Sequence, residues 1–216
     1  MKKLASIILL TILALNLSAQ QDPKFSQSMF LIPSINPGAI GQSDKICLAA
    51  AFRNQWMGLP NSPTITTFTA HTPVNFLGRS HGVGLNIMSD ILALNSDIYM
   101  NLAYSYKADL GAGVLGIGAT LGFINKTLVS DKWVSAEVIT PEGDPAIPQG
   151  GTDFAIPDIG LGVYYSTDNL YAGISTTHLY ELSFDYEKTS DADARPSMTR
   201  HYYALAGYTI QLPNPM

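Results

Sequence analysis

Side chains that commonly bind metals are few in this chain of 216 residues. It contains four histidines and one cysteine. No two histidines have the H-x-x-x-H or H-E-x-x-H spacing that brings two imidazoles to one zinc ion. The single cysteine, Cys47, has no partner for an internal disulfide, and we interpret it as a small apolar residue. The histidines are His71, His81, His178 and His201. The sequence therefore predicts no metal site.

Two other patterns could support chemistry. Residues 111–116 read GAGVLG and match the G-x-G-x-x-G fingerprint, which binds dinucleotides only where it follows a strand and opens a helix. A strict two-residue alternation follows it here, which indicates a hairpin instead. His178 with Glu181 and Asp185 is the nearest approach to a base with an orienting acid, but no nucleophile accompanies it. We predict no catalytic residue and no cofactor.

The first residues of the chain indicate export. The sequence begins MKK, residues 4–17 are apolar apart from Ser6, Thr11 and Asn16, and Ser18 and Ala19 are small. This is the order of a secretory signal peptide, so we predict that residues 1–19 are a signal peptide cleaved after Ala19. The apolar run is shorter than the about 20 residues of a transmembrane helix.

Composition narrows the class of protein further. The formal net charge of −5 becomes −7 once the two lysines of the signal peptide are removed, and an acidic chain is a poor partner for nucleic acid. Charged residues make up 13% of the chain, against about 25% in an ordinary soluble domain. Eighteen glycines and eleven tyrosines accompany this low charge. An exported chain of this kind is either a transmembrane β-barrel or a secreted β-sandwich.

Side-chain periodicity predicts strands. In residues 113–123, large apolar side chains alternate with glycines and other small residues. A helix would lose about 1 kcal/mol for each glycine, whereas a membrane strand needs this alternation over about 9–11 residues. Eight segments show it, and none has a convincing helical period. They are residues 46–56, 64–72, 82–89, 96–106, 113–123, 158–166, 170–177 and 201–211.

Loop lengths distinguish a barrel from a sandwich. Short, turn-like links follow the second, fourth and sixth predicted strands (73–81, 107–112 and 167–169). Long polar links follow the fifth and seventh (125–157 and 178–200). Outer-membrane barrels have short periplasmic turns and long extracellular loops, and a sandwich has no such rule. Aromatic residues near strand ends also fit interfacial girdles: Trp56, Tyr99, Tyr106, Tyr165, Tyr171, Tyr202 and Tyr208.

We therefore predict an all-β fold, an antiparallel transmembrane outer-membrane β-barrel. About eight strands lie in residues 46–216, and the N-terminus is in the periplasm. The chain stops in a proline-rich run after the eighth strand. For that reason we expect this barrel to be a C-terminally truncated copy of a larger one.

The segment between the signal peptide and the first strand, residues 20–45, does not look like a barrel strand. Residues 21–30 read QDPKFSQSMF and residues 36–41 read NPGAIG. This closely resembles the mature N-terminus of the PorP/SprF family, membrane proteins of the type IX secretion system and gliding machinery of Bacteroidetes. Ser28 departs from the tyrosine usual there. Matching motifs continue along the mature chain: Arg53-x-Gln55-Trp56-x-Gly58, Pro157-Asp158-x-Gly160, Tyr171-x-Gly173-x-Ser175-x-x-His178 and His201-Tyr202-Tyr203.

The resemblance implies a non-enzymatic outer-membrane component of type IX protein secretion. Such a protein acts as scaffold or anchor for secreting surface proteins such as adhesins, in connection with gliding motility. The implied partners are outer-membrane lipid, the periplasmic ring of the secretion system, its peptidoglycan-associated components and a secreted surface adhesin.

Prolines should keep the N-terminal segment extended, so that it caps its own barrel from the periplasmic side, presents a partner surface, or does both. Candidate partner contacts in the family motifs are Asp22, Pro23, Phe25, Ser26, Gln27, Met29, Asn36, Pro37, Arg53, Gln55, Trp56 and Gly58.

Two other functions are kept as alternatives. A passive outer-membrane porin or small-molecule transporter would have the same strands, and steady conductance without accessory proteins would favour it. An outer-membrane enzyme is the weakest alternative, because the sequence offers no pairing of a nucleophile with a base.

Overall fold

A computed structural model describes residues 22–128, 152–182 and 198–210. They form one sheet of eight antiparallel strands, in which every strand pairs with its neighbours in sequence. All eight predicted strands are present, which confirms the all-β antiparallel fold. The strands are β1 (Cys47–Asn54), β2 (Thr64–Phe76), β3 (Arg79–Leu92), β4 (Asn95–Leu110), β5 (Gly113–Leu128), β6 (Thr152–Ser166), β7 (Leu170–Thr177) and β8 (His201–Tyr208).

Several strands extend beyond their predicted ends, so the predicted links are too long. Only Leu77 and Gly78 separate β2 from β3, and both have positive φ (51° and 71°), as in the two-residue turns that match hairpin twist. The predicted link 73–81 is therefore mostly strand. Pro73, a residue typical of turns, lies within β2 and pairs with Gly82. The predicted hairpin at residues 111–116 is confirmed, since β5 begins at Gly113.

The exposed face of the sheet is apolar and its buried face is polar, which is the reverse of a sheet in a soluble protein. On β4, Leu102 on the convex face is 67% exposed, whereas Ser105 and Lys107 on the concave face are 0% and 4% exposed. An apolar outside and a polar inside suit strands that face lipid. The sheet is therefore the curled half-barrel of an outer-membrane β-barrel. Within the described residues, β1 and β8 each pair with one neighbour.

Two predicted girdle residues, Tyr99 and Tyr171, lie on the other face, where Tyr171 stacks on the buried Tyr164. Tyr99 is 7% exposed on the concave side of β4, because it shares the parity of Asn101 and Ser105 rather than that of the apolar residues between them. Proximity to a strand end did not reveal which face the side chain takes.

The N-terminal segment, predicted to be extended, contains three short helical turns: Ser28–Phe30, Ile32–Ile35 and Pro37–Ala39. Proline stands in the first positions of the second and third turns, where its fixed φ suits a helix start and its missing N–H costs nothing. No helix in the described ranges is long and apolar enough to cross a membrane.

Candidate functional site

The N-terminal segment lies along the concave face of the sheet. Asn36 and Ile40 are completely buried there, and the turn Pro37–Ala39 contacts β4, β5 and β6. The segment is held at two places, one near Asn36 and one near Asp22.

The first place is a row of inward-facing glycines, which we call the glycine seat (Gly82, Gly84, Gly116, Gly118, Gly162 and Gly173). A Cβ added to Gly116 would stand 2.0 Å from the carbonyl oxygen of Gly38, and one added to Gly82 would stand 2.2 Å from that of Ile40. Any side chain there would therefore displace the segment. Glycine at these six positions therefore lets the N-terminal segment lie directly on the strands.

Polar groups fix the segment in the glycine seat. The Asn36 amide donates to the carbonyl oxygens of Val163 (3.1 Å) and Ile174 (3.3 Å), and its side-chain oxygen accepts from Gly38 N at 2.9 Å. The Lys107 ammonium donates to the carbonyl oxygen of Gly38 at 2.8 Å. Buried polar groups must be paired to avoid a desolvation cost, and these are.

The second place is a group of polar side chains around the start of the segment, which we call the Asp22 cluster (Asp22, Asp158, Thr177, His178, His201 and Tyr203). His178 Nε2 lies 3.0 Å from one Asp22 oxygen, and its Nδ1 lies 2.8 Å from Asp158. Tyr203 donates its hydroxyl to the other Asp22 oxygen at 2.6 Å. Both ring nitrogens of His178 are thus held by carboxylates.

Electrostatics in the Asp22 cluster favour charged side chains. Burial is the largest influence on Asp22 and raises its pKa, but hydrogen bonds and charges from His178, Tyr203 and His201 outweigh it and leave the pKa below its ordinary value. Burial likewise lowers the pKa of His178, yet Asp158 and Asp22 together raise it above the ordinary range. An Asp22 carboxylate facing a His178 imidazolium is the favoured state.

A small cavity of about 80 Å³ adjoins the Asp22 cluster. Two predicted contact residues, Pro23 and Phe25, line it together with Asp158 and His178. Its walls are partly polar, and it has room for a few water molecules.

The other predicted contact residues are not brought together at one place. Arg53 donates to the carbonyl oxygen of Lys24 at 2.5 Å and to the Gln55 side chain at 2.9 Å, which ties β1 to the segment. Trp56 and Gly58 lie in the exposed link after β1, and both have positive φ. Ser26, Gln27 and Met29 are exposed on the segment. Asn36 and Pro37 are buried against the glycine seat.

Several residues of the site were missed from the candidate contacts. The sequence suggests Glu181 and Asp185 as the acids nearest to His178, but its imidazole pairs with Asp158 and Asp22 instead. Asp185 lies outside the described residues. A usable signal existed, because the motifs of the family resemblance include Asp158, His178 and His201. The glycines were seen only as a strand pattern.

Fold and site together define a class: a β-barrel membrane protein whose own N-terminal segment occupies the concave face. The chain belongs to the type IX secretion system membrane protein family PorP/SprF, whose family model matches residues 17–214. It is thus a membrane component of that system and works with its other components. No curated protein and no solved structure matches the chain.

Proposed function

We propose that this protein is an outer-membrane scaffold of type IX secretion, which anchors the export of surface proteins such as the adhesins used in gliding. It is exported by a signal peptide cleaved after Ala19 and has no catalytic activity. The observation that carries this proposal is the burial of the N-terminal segment, with Asn36 and Ile40 0% exposed on the concave face.

An occupied concave face favours the scaffold over the porin. A porin needs a water-filled lumen lined by polar side chains. Here the inward face of β5 and β6 is covered by backbone at the glycine seat, and Lys107 is used to bind Gly38. We infer that the interior serves to hold the segment rather than to conduct solutes.

The exposed part of the segment supplies a surface for partners. Met29 and Phe30 are 60% and 67% exposed, and they line a groove with Cys47 and Ala49 on the concave side of β1. Exposed apolar groups that do not belong to the convex, lipid-facing surface are typical of protein interfaces. We infer that periplasmic ring or peptidoglycan-associated components bind here.

Site-specific photo-crosslinking tests the partner surface. A photoreactive residue at Gln27 or Met29 should give adducts with type IX components in whole envelopes, while the same residue at Leu102, on the convex face, should not. Adducts at Leu102 equal to those at Gln27 would contradict the proposed surface.

Conductance in planar bilayers separates the two functions. The scaffold predicts no steady ion conductance from the purified protein. A variant lacking residues 22–42 is the comparison. If the full protein conducted ions as well as this variant, the segment would not block the interior, and the porin alternative would be favoured.

A further inference from the structure

Three side chains from distant parts of the chain meet in the Asp22 cluster with atoms suited to a metal ion. Asp22 comes from the N-terminal segment, His178 follows β7, and His201 begins β8 beside Thr177 in the pairing register. One ligand atom of each lies within 4.8 Å of the others. The spacing of these three residues in the sequence does not predict a shared site, since Asp22 and His178 are 156 residues apart.

The distances are close to those of a tetrahedral zinc site. Zinc bonds of about 2.0–2.1 Å to nitrogen and oxygen place ligand atoms about 3.3 Å apart. His178 Nε2 is 3.0 Å from one Asp22 oxygen, and His201 Nδ1 is 3.4 Å from the other. The two imidazole rings are 5.7 Å apart at 79° to each other. One ligand atom from each of the three side chains thus lies near the place that a single ion would take.

The surroundings resemble the outer shell of a metal site. A metal-binding histidine usually gives its other ring N–H to a carboxylate, which fixes the tautomer. Asp158 takes that place at His178 Nδ1, 2.8 Å away, so that Nε2 is directed at Asp22. Tyr203 and Thr177 donate to the Asp22 oxygen that lies nearer His201 and so orient the carboxylate. The adjoining cavity leaves room for a water molecule as fourth ligand.

Charge balance also favours a divalent ion. Asp22 and Asp158 contribute two negative charges in a largely buried place, with side chains 17% and 5% exposed. A divalent ion would pair with both charges at once, and buried charges are stable only when they are paired.

We propose that Asp22, His178 and His201 bind a zinc ion, which joins the start of the mature chain to β7 and β8. Two imidazoles and one carboxylate suit zinc, whereas calcium and magnesium require six or more oxygen ligands. The role is structural: the ion holds the N-terminal segment on the concave face. This proposal does not depend on the secretion function.

Metal titration of the full chain tests the site. The protein is purified in detergent with Cys47→Ser as background, stripped with EDTA and titrated with Zn²⁺. We expect one equivalent per chain, and Co²⁺ in its place should give the visible absorption of a tetrahedral nitrogen and oxygen site. Asp22→Asn and His201→Gln should each weaken binding at least tenfold, and the matched control His81→Gln should not.

A conservative variant of Asp158 distinguishes this residue, which only orients His178, from the three proposed ligands. Asp158→Asn should keep one equivalent of Zn²⁺ but weaken its binding by about 10–100-fold. Far-ultraviolet circular dichroism checks that each variant has folded. The proposal is overturned if the folded background protein takes up no Zn²⁺, or shows no tetrahedral Co²⁺ spectrum. Equal losses in His81→Gln and His201→Gln would also overturn it.

Discussion

The N-terminal segment is held at two places that differ in kind. At the glycine seat, the backbone of Gly38 and Ile40 lies on the backbone of the strands, and there is no room for another atom. In the Asp22 cluster, polar side chains meet instead, and hydrogen bonds join Asp22 to His178 and Tyr203 and join His178 to Asp158. Close backbone packing holds the segment at the glycine seat, whereas charged and hydrogen-bonded side chains hold it in the Asp22 cluster. We therefore expect the seat to contribute more stability and the cluster to control only the start of the segment.

The largest effect should come from filling the seat. Gly116→Val places a Cβ 2.0 Å from the Gly38 oxygen and 2.8 Å from Lys107 Nζ. Overpacking against rigid backbone should lower the free energy of unfolding by about 3 kcal/mol, measured by urea unfolding in detergent. Ala119→Val on the convex side of the same strand is the control and should be nearly neutral. Equal effects would show that the segment does not rest on Gly116.

The next effect should come from Asn36. Asn36→Leu has a similar volume but removes two donations to carbonyl groups and leaves Gly38 N without its acceptor. An unpaired buried N–H together with the lost hydrogen bonds should cost about 2 kcal/mol, read from the same unfolding curves. Asn54→Leu, at the exposed end of β1, should change little. A small effect at Asn36 would mean that packing alone secures the seat.

A smaller and more local effect is expected at Asp22. Asp22→Asn removes the charge that faces His178, but the amide oxygen still accepts hydrogen bonds, and His178 keeps Asp158. The global loss should be about 1 kcal/mol. Amide hydrogen exchange should speed up at residues 24–27 and not at residues 38–41, and Asp44→Asn should change neither. Faster exchange throughout the segment would remove the distinction between seat and cluster.

The smallest effect should come from Tyr203. Tyr203→Phe deletes one hydrogen bond of 2.6 Å to Asp22, so we expect a loss of about 0.5–1 kcal/mol. Tyr202→Phe on the opposite face is the control. The losses of Tyr203→Phe and Asp22→Asn should be less than additive in the double variant, because both act on one network. Fully additive losses would show that Tyr203 and Asp22 contribute to stability independently.

The sequence predicted the eight strands and the polarity of most of their faces because a two-residue period is a local property. Strand ends were less predictable: Pro73 is typical of a turn and yet lies within β2. In such cases the pairing with a neighbouring strand outweighs local preference.

The site was less predictable than the fold. The glycines of β5 were visible, but nothing local shows that Gly116 faces Gly38. His178 had acidic neighbours in sequence and pairs instead with Asp22, 156 residues away. Contacts of that kind depend on the curvature and register of the whole sheet. Only the family motifs marked Asp158 and His178 beforehand.

The hydrogen bond between Tyr203 and Asp22 joins residues 181 positions apart, and this separation has a consequence for assembly. The segment is synthesised and exported before any strand, but its binding place is complete only when β8 has joined the sheet. Contacts so distant in sequence form late, because the chain between them must first be ordered. We expect the start of the segment to dock only after β8 has paired with β7, so that protection of its first residues from protease reports this pairing.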